Sequence, residues 1–220
     1  RRIVSVVCPS FALWAQPHPG NVQEPQPWVL TVEQRNLVLV HDANPAARTA
    51  GAMLGQPLTD ARALVPGLRS MNADTACIER AWHQLAHWLT RYTPMVALDP
   101  ANAPMDMGGT AGFLLDVSGC AHLFGGEPGL LQDMVDRLQS RGLPIRAAMA
   151  DTPLAAWGLA RYGNDPLLCV PKGETLPALR PLPVTALNLP EDTVEALDRL
   201  GLRRIGDIAQ LDRQALGQRF

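Results

Sequence analysis

The stretch 109–126 constrains the fold more than any other. Phe113, Leu114, Leu115 and Val117 form an apolar run of aromatic and branched side chains with glycines on both sides, the pattern of a short strand buried within a sheet. Asp116 interrupts the run, and Ser118-Gly119 closes it with turn chemistry. A buried strand ending in a polar turn is where layered α/β proteins commonly place a site. Here the strand opens on Ala111-Gly112, where reactive groups would be expected.

The flanking patterns fix what surrounds that strand. Residues 3–8 read as a strand stopped by Pro9, which has no N–H to give a ladder. Over 76–92, Ile78, Trp82, Leu85, Leu89 and Tyr92 recur at three- and four-residue steps, predicting an amphipathic helix. A strand at 95–98, the central strand, a helix over 127–141 and a strand over 145–150 follow. Asp151-Thr152-Pro153 then opens a helix through Tyr162, with a capping hydroxyl before a proline in the first turn. Strand, helix, two strands, helix, strand is the βαββαβ order of a ferredoxin-like or polymerase-palm layer, an α/β (α+β) fold.

The remaining segments read as smaller attachments. Residues 15–27 hold four prolines and are expected as loop. Residues 28–32 and 37–40 predict a hairpin through Glu33-Gln34-Arg35-Asn36. A helix from Asn44, with Ala46, Ala47, Ala50 and Met53 on one side, is expected to end at Gly55, and a second covers 58–65. The proline-rich stretch 176–183 reads as a linker. Helices are expected beyond it over 191–200, 204–210 and from 213. Leu200-Gly201-Leu202 resembles the hairpin of a helix-hairpin-helix, and Gly201, Arg203 and Arg204 form a candidate contact with a DNA backbone.

Composition excludes several classes. An apolar fraction of 47% with 18% charged residues is that of a folded globular chain. No apolar run approaches the ~20 residues of a membrane-crossing helix. The apolar start after Arg1-Arg2 is shorter than the ~7–15 residues of a signal-peptide core. Cys8, Cys77, Cys120 and Cys169 share no close spacing, which points to reduced thiols and a cytoplasmic setting. A net charge of −2 predicts weak DNA binding by this piece alone. The lack of an initiator Met and an ending inside a helical pattern are what a piece of a longer protein would show.

Several residues invite sharper readings. Asp116, Ser118, Cys120 and His122 offer a nucleophile and a base, the alternative of an unrelated α/β enzyme; turn capping by Asp116 and Ser118, and burial of Cys120, are the competing reading. His83 and His87 lie one helical turn apart, suited to a metal pair or to an exposed polar face.

Five runs carry a family resemblance. Ala43-Asn44-Pro45-Ala46-Ala47-Arg48, continuing to Leu58, resembles the fingers motif of Y-family translesion DNA polymerases. Phe113 through Gly119 resembles the end of their acidic palm motif. Thr59 through Leu68, Asp116 through Gly126 and Asp151 through Trp157 resemble more closely the polymerase-like subunits of bacterial mutasomes. The resemblance implies a palm (1–10 and 74–171), small fingers (11–73) and a truncated helical thumb (172–220). It also implies that active relatives hold two metal ions with three carboxylates. Aligned without gaps, those positions fall at Val7, Ala111 and Gly112, the triphosphate lysine at Pro153 and the fingers tyrosine at Pro45, leaving Arg48 as a candidate phosphate contact.

Asp106 precedes Ala111 by five residues, roughly 16 Å if extended at ~3.3 Å per residue, too far without a fold-back. The expectation is a non-catalytic scaffold without metal or cofactor, acting in damage-induced mutagenesis. Its implied partners are a sliding clamp, a RecA-like protein and an error-prone C-family polymerase, met mainly through regions beyond residue 220. The alternative is an active Y-family polymerase with relocated acids.

Overall fold

A computed structural model describes residues 1–16, 26–99, 101, 103–106 and 108–211. By contact density the chain divides into two compact units. One comprises Arg1–Val6, Leu114–Val135 and Arg146–Phe220; the other comprises Val7–Phe113 and Asp136–Ile145.

A five-stranded sheet has the order β5-β6-β1-β7-β8. Its strands are β1 (Ile3–Cys8), β5 (Val96–Leu98), β6 (Ala111–Asp116), β7 (Arg146–Ala150) and β8 (Leu167–Cys169). The first four, with helices α4 (Thr75–Leu89) and α5 (Glu127–Gln139), realise the expected βαββαβ order. β8, which runs parallel to β7, is an addition that sequence patterning did not predict. β1 is buried along its whole length, which is why its residues show no alternation.

The second unit carries a three-stranded sheet in the order β3-β2-β4, formed by β2 (Trp28–Gln34), β3 (Leu37–Ala43) and β4 (Arg69–Asn72). The hairpin turns on Arg35 and Asn36, at φ 48° and 63°, the left-handed pair that a two-residue hairpin needs. The strands therefore run longer than expected. Asn44 caps α2 (Pro45–Thr49), accepting the Ala47 N–H at 2.9 Å, with Pro45 preset for the first turn. That helix does not reach Gly55 as expected. Gly51, at φ 105°, turns the chain, the Ala52 N–H closes back on the Ala47 carbonyl, and Met53 is left exposed. Small side chains pack this lobe: Val29, Val40, Ala43, Ala47, Ala61 and Val65 form its core, with α3 (Leu58–Leu64) closing it. In the same unit α1 (Phe11–Ala15) packs against α4, which buries Ile78, Trp82, Leu85 and Leu89 and is capped by Asp74. Each such apolar side chain contributes about 1.5–3 kcal/mol.

In the first unit, α6 (Pro153–Tyr162) starts as expected, with the Thr152 hydroxyl accepting the Ala155 N–H and Pro153 in its first turn. The expected linker at 176–183 is not one. It contains α7 (Thr175–Leu179), then a 3-10 turn at Val184–Leu187 whose Val184 and Ala186 are buried against α6. Gly158 makes this possible, because a Cβ there would lie 2.5 Å from the Ala186 carbonyl oxygen. α8 (Glu191–Arg199) and α9 (Ile205–Ile208) follow, and the helix expected from 213 lies outside the described residues. Among the described residues, no helix is long and apolar enough to cross a membrane.

Candidate functional site

β1 and β6 are neighbours in the five-stranded sheet. Val117, just past β6, donates its N–H to the Arg2 carbonyl at 2.9 Å, so the end of β6 meets the start of β1. On the other edge of β6 the Gly112 carbonyl accepts the Asp99 N–H at 3.0 Å. Val7, Ala111 and Gly112 are all buried and offer only hydrocarbon or hydrogen. The Cys8 thiol is fully buried, which pushes its pKa above the usual thiol range.

Three acids lie on nearby segments. Asp106 sits in a turn, since the Gly109 N–H donates to its carbonyl, so the chain does fold back here; its side chain is nevertheless exposed whereas Ala111 is fully buried. Asp99 is buried and accepts the Ala101 N–H at 3.1 Å. Asp42, at the end of β3, is wholly buried and bonded on both oxygens. Oδ2 accepts the Leu13 N–H at 3.1 Å; Oδ1 accepts the Ala43 N–H at 2.8 Å and an Arg48 N–H at 3.0 Å. Burial pushes its carboxyl up, opposed by the Ala43 N–H and the Arg48 guanidinium. Among the described residues, no three His, Cys, Asp or Glu side chains converge in a group able to hold a metal ion. The paired ions implied by the polymerase resemblance need hard oxygen ligands, and the donors present do not fit them.

Arg48 is turned inward. Its Nε donates to the Ala43 carbonyl at 2.9 Å, and Nη2 donates to Ser10 Oγ and Asp42 Oδ1, both at 3.0 Å. Among the described residues, Nη1 has no hydrogen-bond partner. Gly109 is indispensable to this corner. At φ +57° it passes so close that a Cβ would lie 2.7 Å from both Ala12 Cβ and Asp42 Oδ2.

The other predicted residues lie in the first unit or on exposed helix faces. Pro153 is at the start of α6 in the first unit, whereas Val7, Ala111 and Gly112 belong to the second. Asp116 is a turn anchor: the Ser118 hydroxyl and the Arg1 guanidinium, with the Ser118 N–H, hold its carboxyl down to about 2. A carboxyl so acidic makes a poor base near neutral pH. Cys120 Sγ faces the Ser118 carbonyl at 3.9 Å, and His122 is exposed, so no nucleophile–base pair forms there. His83 and His87 are both exposed on α4. Around Gly201, at φ +76°, the backbone N–H groups are used internally. Gly201 donates to Asp198 O, Leu202 to Leu197 O, and Arg203 and Arg204 both to Asp207 Oδ2. The Arg203 guanidinium pairs with Asp198 at 2.7 Å. The side chain of Arg204 remains exposed beside this turn.

Sequence reasoning missed Asp42, Asp99 and the Arg2 cluster. The Arg2 side chain is 9% exposed and donates to both oxygens of Glu127, at 2.7 Å each, to Asp151 at 2.9 Å and to the Val170 carbonyl at 2.6 Å. Burial alone would lower its pKa; its hydrogen bonds to Glu127 and Asp151, with the attraction of the two carboxylates, outweigh that and raise it. A basic pair ahead of an apolar strand was the available signal.

Fold and sheet order together define a Y-family polymerase-like body. The impB/mucB/samB family profile matches residues 21–161, and the chain belongs to that family. It is similar to Protein ImuB of Caulobacter vibrioides, 44% identical over 170 residues that make up 77% of this chain and 35% of the relative. It is also similar to DNA polymerase IV 2 of Mesorhizobium japonicum, 29% identical over 180 residues, 79% of this chain and 40% of that one. The chain thus spans well under half of these curated relatives. Among solved structures, the insertion ternary complex of Dbh DNA polymerase superposes with a TM-score of 0.79 at 16% identity, covering 99% of this chain and 63% of that one. DinB from Sulfolobus solfataricus superposes at 0.73 and 18% identity, covering 98% and 62%. At such identity these likenesses establish the fold.

Proposed function

We propose that this chain is the polymerase-shaped part of a DNA damage-tolerance protein that does not itself join nucleotides. The observation that carries the reading is the hydrocarbon lining on β1 and at the start of β6: the side chains of Val7 and Ala111, and Gly112, offer no carboxylate oxygen to a cation. Two-metal nucleotidyl transfer needs ions about 4 Å apart to hold the attacking and leaving oxygens, and no donor set for them is gathered among the described residues. Of the two nearby buried carboxylates, Asp42 has its oxygens committed to two N–H groups and Arg48, and Asp99 accepts the Ala101 N–H.

The similarity to Protein ImuB supports a role as a cytoplasmic mutasome scaffold in translesion synthesis. Its partners would be a sliding clamp, an ImuA-type RecA-like protein and an error-prone C-family polymerase that supplies the chemistry. On this reading the palm is 1–10 and 74–171, the fingers 11–73 and the thumb 172–220. Arg48 Nη1 and the side chain of Arg204 are the remaining contacts for a phosphate, and affinity for DNA is low at a net charge of −2.

Primer extension with magnesium and all four nucleotides tests the central point. The expected result is no template-directed product. Synthesis abolished by Asp42→Asn, Asp99→Asn, Asp106→Asn or Asp116→Asn would establish relocated acids instead.

A further inference from the structure

The second unit carries a pair of arginines stacked on one indole ring. Arg91, just past α4, stacks its guanidinium 4.4 Å from the Trp88 ring centroid, and Arg141, just past α5, stacks on the same ring at 5.0 Å. Both are exposed, and neither has a carboxylate within ion-pair distance among the described residues. Stacking fixes the planes of the two cations while leaving their N–H edges open, and fixed, unspent guanidinium forks are matched to carboxylate oxygens. The Arg141 backbone is itself pinned, since its carbonyl accepts the Trp14 indole N–H at 3.0 Å.

Trp14 leads directly to a second feature. It lines a cleft of about 590 Å³ together with Pro9, Pro45, Leu143 and Pro144, a largely apolar wall. The guanidinium on that wall, Arg48, has already spent three hydrogen bonds on Asp42, Ala43 and Ser10. The surface therefore joins an apolar cleft to a pair of unspent cations.

We propose that this face docks a short acidic segment of a protein partner, with one apolar side chain entering the cleft and its carboxylates bridging Arg91 and Arg141. A nucleic-acid backbone would be held by cations repeated along its track; here two open arginines adjoin a largely apolar wall whose own cation, Arg48, is paired with buried Asp42. An acidic peptide with an apolar anchor matches both halves. The proposal stands whether or not the chain catalyses nucleotide transfer.

Fluorescence anisotropy tests it with a panel of labelled short peptides, each a run of Asp and Glu carrying one Leu, Phe or Trp. The comparison probes are the same peptides with Asn and Gln in place of the acids, and an oligothymidylate. Acidic peptides are expected to bind, weakening with added salt, while the neutral ones do not. Arg91→Gln combined with Arg141→Gln should weaken binding about tenfold or more, and Pro144→Glu, at an exposed cleft position, should do likewise through charge repulsion. Arg69→Gln, which removes the guanidinium stacked on Trp28, should change nothing. Far-UV circular dichroism confirms that each variant is folded. The proposal is overturned if no acidic peptide binds, if the arginine and Pro144 variants bind as the parent does, or if the oligothymidylate displaces the peptide.

Discussion

Replacing Gly109 by alanine should damage the corner that holds Arg48, and its cost can be worked out from two separate terms. At φ +57° an L side chain pays about 1–2 kcal/mol for the left-handed conformation. The new methyl would also stand 2.7 Å from Ala12 Cβ and from Asp42 Oδ2, inside contact distance of two buried groups. Forcing an extra carbon into a packed site typically costs about 1–3 kcal/mol. The sum, about 2–5 kcal/mol, is a large share of the roughly 5–15 kcal/mol that holds a domain together.

For a chain of this length each kcal/mol moves Tm by about 2–4 °C, so a central value of about 3 kcal/mol predicts a fall of about 6–12 °C. Gly55→Ala supplies the control. Gly55 has φ +79° but nothing within 4 Å of the methyl that alanine would add, so only the conformational part applies, about 2–8 °C. Thermal and urea melts of both variants decide the matter. Equal losses in the two, or a Gly109→Ala protein as stable as its parent, would refute the claim that Ala12 and Asp42 close on that glycine.

Other outcomes follow from the first unit. Arg2→Met should cost about 3 kcal/mol in urea unfolding, near the lower end for a broken buried pair because Glu127 and Asp151 keep partial access to water; adding Glu127→Gln should recover part of it. Arg1→Ala, at an exposed pair with Asp116, should cost well under about 1 kcal/mol. Asp116 titrates near 2 when folded and near ~3.9 when unfolded, so its contribution is complete above pH ~4 and disappears as pH falls through 2. The stability gap between the parent and Asp116→Asn should therefore close over that window. Gly158→Ala should lower stability by about 2 kcal/mol even though alanine favours the helix by about 1 kcal/mol, because its methyl meets the Ala186 carbonyl.

Much of the palm-type layer was legible because its elements carry redundant local signals. The three- and four-residue rhythm of Ile78, Trp82, Leu85 and Leu89 and the Thr152-Pro153 cap each specify a helix without help from distant contacts. The elements that went unread, α1, β4 and β8, are five residues or fewer and owe their form to packing or pairing partners far away in sequence. The overlong reading of α2 came from counting alanines and passing over Gly51. Prolines at 177, 181 and 183 resembled a linker because the decisive fact, the close approach of Ala186 to Gly158, is tertiary. At the candidate site, the hydrocarbon at Val7, Ala111 and Gly112 could be read from the chain itself. Asp42 could not: a buried, fully bonded carboxylate looks in sequence like any polar residue before a turn.

The Arg2 cluster has a consequence for how such chains diverge. One guanidinium serves the entrance to α5 through Glu127, the approach to α6 through Asp151 and the residue after β8 through Val170. None of the three charged positions can drift by itself, since losing the cation strands two acids and losing either acid leaves the cation short of a partner. Descendants carrying an uncharged residue at position 2 should have become neutral at 127 and 151 as well, so that these sites change as a set while exposed Arg1 wanders freely.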